Sequence, residues 1–143
     1  MKVDCALLCD AATVREGLLH ILGGGITRMA RPQYPHPLNV QLALRIVIHP
    51  TESGSNHSAQ VILQDEDGTR IAGVNFDFAV DLQSTSGLMA GEQISLPLAV
   101  PVQQLPLPKA GGYSFEVLID GNHQVSVPFQ AVQGTALPPG GPQ

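Results

Sequence analysis

Positive charge is scarce in this sequence. Its only lysines are Lys2 and Lys109, charged residues make up 13 %, and the formal net charge is −5. Nucleic-acid binders carry a basic stripe or patch, so nucleic acid is not an expected partner. Tryptophan is absent and aromatics are 4 %, so a core has to be built from Val, Leu and Ile. Cys5 and Cys9 are the only cysteines, too few for a disulfide framework. Long apolar runs are missing too. The stretch from Gln93 to Pro108 is uncharged, but Pro97, Pro101, Pro106 and Pro108 interrupt it. No membrane span is expected. Asp4 and Asp10 break the apolar start of the chain, so no secretory leader is expected and the expected location is cytoplasmic.

What is abundant is punctuation and alternation. The 15 glycines and 12 prolines suit short strands joined by turns. Tyr113, Phe115, Val117 and Ile119 alternate with smaller or polar residues, as do Val125, Val127, Phe129 and Ala131. A period of two places each set on one face of a strand. Asp120-Gly121 between them is a hairpin signal, because both residues tolerate positive φ. Such a hairpin needs a second layer. A chain of 143 residues can supply one, burying roughly 68–70 % of its unfolded surface.

The rest of the chain reads in the same way. Val3 to Cys9 is a short apolar strand. Residues 10–22 are ambiguous. Asp10 could cap a helix with Val14, Leu18, Ile21 and Leu22 on one side, but Gly17 would cost about 1 kcal/mol mid-helix. The alternative for residues 3–22 is two strands joined by a loop at 10–16. Gly23-Gly24-Gly25 ends this part in a bulge or tight bend. No Lys-Ser/Thr follows the glycines, so they do not form a phosphate loop. Pro32, Pro35 and Pro37 enforce an extended, helix-free linker. Asn39 to His49 is the longest strand, with Val40, Leu42, Leu44, Ile46 and Ile48 on one face. Ala59, Val61 and Leu63 alternate ahead of an Asp65-Glu66-Asp67-Gly68 turn, and Val74, Phe76, Phe78 and Val80 form the return strand. Residues 81–92 read as a loop. Ile94, Leu96, Leu98, Val100 and Val102 alternate opposite Pro97 and Pro101, which cannot donate to a ladder; this is an expected edge strand.

About eight strands at this spacing predict an all-β, two-sheet antiparallel sandwich, immunoglobulin- or fibronectin-III-like. Tyr113, two residues before Phe115, has the spacing of a tyrosine corner. Residues 1–132 read as one domain. The Pro/Gly-rich stretch 133–143 reads as a disordered tail.

Several segments resemble a family of small bacterial β-sandwich proteins of uncharacterised function. Those segments are Ala6-Leu7-Leu8-Cys9-Asp10-Ala11; Gly17-Leu18-Leu19-His20-Ile21-Leu22-Gly23; Asp65-Glu66-Asp67-Gly68; and the terminal Tyr113 to Phe129 hairpin. The resemblance runs in order over about residues 3–132. It departs at Leu18-Leu19, where the family has a lysine. It implies a β-sandwich, favours strands over a helix for residues 3–22, and implies no particular chemistry.

Chemical constellations are sparse. In a strand Cys5 and Cys9 share a face about 13 Å apart, too far for one disulfide or one zinc, so both are expected to be buried structural thiols. The acids at 65–67, 77 and 81 lack a calcium-loop pattern. His20, His36, His49, His57 and His123 show no metal spacing, and no Gly-x-Ser-x-Gly elbow occurs. No cofactor or metal is expected, and no catalytic residue is identified. The expected function is a non-enzymatic protein-interaction module, with another protein as partner and a homo-oligomer through an edge strand as a further option. The alternatives are a small-ligand or carbohydrate module, or a hydrolase with loop-borne residues. The candidate binding residues are Arg28, Arg31 and Tyr34, expected as an exposed patch for an acidic protein surface, because Arg and Tyr are enriched where proteins bind tightly.

Overall fold

The computed structural model describes residues 1–81 and 87–134. Its twelve strands are β1 (Lys2–Cys9), β2 (Ala11–Arg15), β3 (Leu18–Leu22), β4 (Arg28–Arg31), β5 (His36–Pro37), β6 (Gln41–Ile48), β7 (Asn56–Asp65), β8 (Arg70–Ala79), β9 (Ile94–Val100), β10 (Pro106–Leu107), β11 (Gly111–Ile119) and β12 (Asn122–Gln133). Apart from one 3-10 turn at Pro50–Glu52, the regular structure of the described residues is all strand. The expected tail begins inside β12, and its residues 135–143 lie outside the described residues, as do 82–86 of the 81–92 loop.

Four sheets result. β1-β6-β9 is three-stranded, β4-β12-β11-β7-β8 is five-stranded, and β2-β3 and β5-β10 are two-stranded ribbons. The expectation of about eight strands in two antiparallel sheets needs correction: among the described residues twelve strands form four sheets, and β4 runs parallel to β12, Arg28 to Gln130 through Arg31 to Gln133. The two larger sheets share one core. Leu8, Leu42, Leu44 and Val100 meet Val61, Leu63, Phe115, Val117 and Phe129 there. Alternation along β11 and β12 delivers these side chains inward, and Tyr113, Phe129 and Phe115 stack in a row with centroids 5.6 and 5.8 Å apart. Half of the chain's six aromatic rings therefore sit in one stack, where each brings its largest apolar area to the core.

The turns follow residue type. Asp120 and Gly121 have φ of 50° and 81°, as a two-residue turn with both central residues left-handed requires. At the β7–β8 turn the Asp65 carboxylate accepts the amides of Asp67 and Thr69 at 2.9 Å each. Tyr113 is buried, and its hydroxyl donates to the Lys109 carbonyl at 2.6 Å, closing a tyrosine corner.

Residues 10–22 differ from expectation. There is no helix, and the expected loop at 10–16 is instead strand β2, paired in register with β3 from Ala11–Leu22 to Arg15–Leu18. The turn is Glu16-Gly17, with φ of 55° and 73°. Glutamate rarely adopts that conformation, so the sequence carries no strong turn signal there. This ribbon lies on the outer face of the three-stranded sheet, where Ala12, Leu19 and Ile21 pack on Cys9, Ala43 and Ala99. β6 is consequently covered on both faces, which explains its nearly unbroken apolar run. Gly24 makes the close approach possible: a Cβ there would stand 2.8 Å from Ile21 Cγ2 and 3.1 Å from Leu7 Cδ1.

Candidate functional site

The residues singled out from sequence are not assembled into an exposed patch. Arg31 is half-buried, and its Nη1 and Nη2 donate to the carbonyls of Ala30 at 2.9 Å and Leu38 at 2.6 Å. Tyr34 packs against the main core and donates its hydroxyl to Val132 O at 2.7 Å. Burial pushes the Tyr34 hydroxyl up, against the opposing charge of Arg31. Both side chains tie the proline-rich segment to the sheet. Arg28 alone stays exposed, on the marginal strand β4. Residue type pointed to recognition; neighbouring carbonyls, invisible in sequence, take up Arg31 Nη1 and Nη2 and the Tyr34 hydroxyl, while Arg31 Nε is buried without a partner among the described residues.

A polar cluster that sequence reading missed lies on the outer face of the five-stranded sheet. The Glu116 carboxylate accepts from Gln64 Nε2 at 3.0 Å, Ser114 Oγ at 2.7 Å, Ser126 Oγ, and His123 Nε2 at 2.7 Å. Burial raises the Glu116 carboxyl, but the Ser126 and Ser114 hydroxyls and His123 together bring it below its usual range. The composition suggests a catalytic Ser-His-Glu set; the geometry is different. His123 Nε2 faces both Glu116 Oε2 and Ser126 Oγ, at 2.7 and 3.2 Å. A triad needs the acid and the hydroxyl on opposite ring nitrogens. With four donors on its two oxygens, Glu116 ties three strands together and has little capacity left for a base's work.

A second cluster sits at one end of the molecule. His57 Nδ1 meets Asp120 Oδ2 at 2.7 Å, and its ring stacks on Phe78 at 5.6 Å. Asp120 Oδ1 also accepts the Ser58 amide at 3.0 Å. The hydrogen bond to Asp120 raises the His57 imidazole despite burial, and the same bond lowers the Asp120 carboxyl. This pair fastens the β11–β12 turn to the start of β7. Among the described residues no three His, Cys, Asp or Glu side chains converge as a metal site would require. Cys5 is half-buried and Cys9 buried, and both thiols are free.

A further recognition feature is built by β3. The β2–β3 ribbon covers Ala43 but stops short of Arg45, leaving a groove of about 580 Å³. Leu18, Leu19, His20 and Ile21 form one wall, and Cys5, Arg45, Ser95 and Pro97 face them. Arg45 grips Asp4 through Nε at 2.9 Å and Nη2 at 2.6 Å, and this holds the Asp4 carboxyl below the usual range. Among the described residues β3 pairs only with β2, so its other edge is unpaired there. Leu18 and Leu22 are 62 % and 69 % exposed, unusual for leucines on a strand. The sequence signal was Leu18-Leu19-His20-Ile21-Leu22, a strand apolar on both faces; one face is covered and the other faces solvent.

No curated protein matches this chain. Residues 4–132 match the family described as Family of unknown function (DUF6941). The match spans both larger sheets, the covering ribbon and the groove, and on that evidence the chain belongs to this family.

Proposed function

We propose that this chain is a non-enzymatic protein-interaction module, a single immunoglobulin-like sandwich that takes an extended segment of another protein into the groove beside β3. The observation that carries this reading is the unpaired β3 edge, flanked by the exposed Leu18 and Leu22 and opening onto the groove. Free strand edges recruit strands through their backbone groups, and side-chain pockets add specificity. Clustered exposed apolar side chains mark interaction sites. The immunoglobulin-like part is supported by the β11–β12 hairpin inside the wider sheet, the switch of sheets between β6 and β7, and the tyrosine corner with Phe115 two residues on.

The test is selection of peptides from a random display library against the whole chain. Enriched peptides should alternate apolar residues and bind as strands. Leu18→Asp with His20→Asp, both at exposed positions, should abolish their binding while the fold survives. Undiminished binding to that double variant would refute the reading. The volume of the groove also suits a small apolar ligand. A carbohydrate is less favoured, because no Phe, Tyr or Trp lines the groove to stack on a sugar.

A further inference from the structure

β8 offers a different surface. It is the margin of the five-stranded sheet, ten residues long and free of proline. β9, the nearby margin of the other sheet, contains Pro97 and is followed by Pro101. Proline blunts an edge; a long bare edge invites another strand. The side chains of β8 form two rows. Ala72, Val74, Phe76 and Phe78 pair with Leu63, Val61, Ala59 and His57 of β7 and form the inner row. Gly73, Asn75 and Asp77 pair with Ile62, Gln60 and Ser58 and form the outer row. A bulge beside Gln64 brings Arg70 onto the outer row as well. Arg70 lies back over the bare Cα of Gly73, where an added Cβ would stand 3.0 Å from Nη2. Among the described residues neither Arg70 nor Asp77 is ion-paired.

We propose that this edge is covered by β8 of a second copy of the chain, antiparallel about a two-fold axis at Asn75. In that register Asn75 faces Asn75 of the second copy, and Gly73 faces its Asp77. Directly opposed side chains in a sheet stand about 4.5–5.5 Å apart. The Asp77 carboxylate of each copy therefore meets the Arg70 guanidinium resting over Gly73 of the other. Symmetry makes this ion pair twice, as an isologous interface requires. On the inner row Val74 faces Phe76 of the second copy, and again the reverse. These rings close the apolar slot of about 310 Å³ that Val74 and Phe76 form with Leu98 and Val100. A register centred on Val74 instead sets Gly73 against Asn75 and leaves both charges unmatched, so the charges select the Asn75 axis. The groove beside β3 lies on the other sheet and stays open in such a dimer.

The experiment is sedimentation equilibrium of the full chain over a range of concentrations. Wild type should be a dimer. Arg70→Asp or Asp77→Arg alone should weaken it about tenfold, since each replaces two attractions with two repulsions. The two changes together should restore it. All three positions are exposed, and circular dichroism checks the fold. As an independent readout, Asn75→Cys in a Cys5→Ser background should form a disulfide-linked dimer under mild oxidation. A chain that stays monomeric throughout overturns the proposal and leaves the edge to a foreign strand. So does a dimer that ignores both charge reversals and gives no cross-link at 75.

Discussion

Removing one oxygen atom tests the corner that anchors the central hairpin. The Tyr113 hydroxyl donates to Lys109 O at 2.6 Å and accepts from Lys109 N–H at 3.3 Å. Tyr113→Phe keeps the ring and its stack on Phe129, so burial and the aromatic contact are conserved. What is lost is one short hydrogen bond and one long one. A neutral hydrogen bond contributes about 1 ± 0.5 kcal/mol net, and a buried unsatisfied partner raises the cost to about 1–3 kcal/mol. Lys109 is exposed, so water can reach the freed carbonyl and amide, which favours the lower part of that range, about 1–2 kcal/mol. At this chain length that is roughly 3–8 °C in Tm. Urea unfolding followed by circular dichroism should show a lower midpoint with an unchanged m-value. A midpoint indistinguishable from wild type would refute the corner as a stabilising element. A changed m-value would show that the loss acts on more than this contact.

Four further outcomes are expected. His57 is raised above its ordinary value of 6.5, so its stabilising effect is complete below about pH 6.5 and disappears as pH rises through the folded value. Asp120 is lowered from 3.8, so its contribution is present above that value and lost as pH falls through the folded one. The pair therefore contributes fully between about pH 4 and 6.5, and His57→Gln should flatten the decline in unfolding midpoint above that window. Glu116→Gln turns an all-acceptor group into one that presents donors to Ser126 and His123; it should cost about 1–3 kcal/mol in urea unfolding, and an unchanged midpoint would show the cluster to be idle. Gly24→Ala should cost about 1–3 kcal/mol through overpacking against Ile21 and Leu7, read as a lowered Tm. A thiol reagent should titrate one cysteine in the native protein, the half-buried Cys5, and the second only in denaturant, because Cys9 is buried; two fast thiols would contradict the packing of the ribbon on β1.

Local chemistry determined much of this protein. Alternation along Tyr113–Ile119 and Val125–Ala131 sufficed to place two central strands, because a strand repeats every two residues whatever surrounds it. Asp120-Gly121 and Asp65 to Gly68 specified their turns through left-handed φ and the aspartate side chain, both local properties. Pro97 and Pro101 marked an edge because a missing N–H cannot pair anywhere. Tertiary structure decided what depends on distant partners. The Glu16-Gly17 turn forms because β2 and β3 have a sheet to lie on, so the ribbon and its groove were not legible from a glutamate that disfavours that conformation. Residue type alone suggested recognition for Arg31 and Tyr34; that Leu38 and Val132, 7 and 98 positions away, supply acceptors to them was decided by the fold. Nothing local distinguishes Glu116 from other acids; the pairing of three strands brings Gln64, Ser126 and His123 around it. A strand's face is set by its own repeat, but whether that face meets core, ribbon or solvent is set by chain far away in sequence.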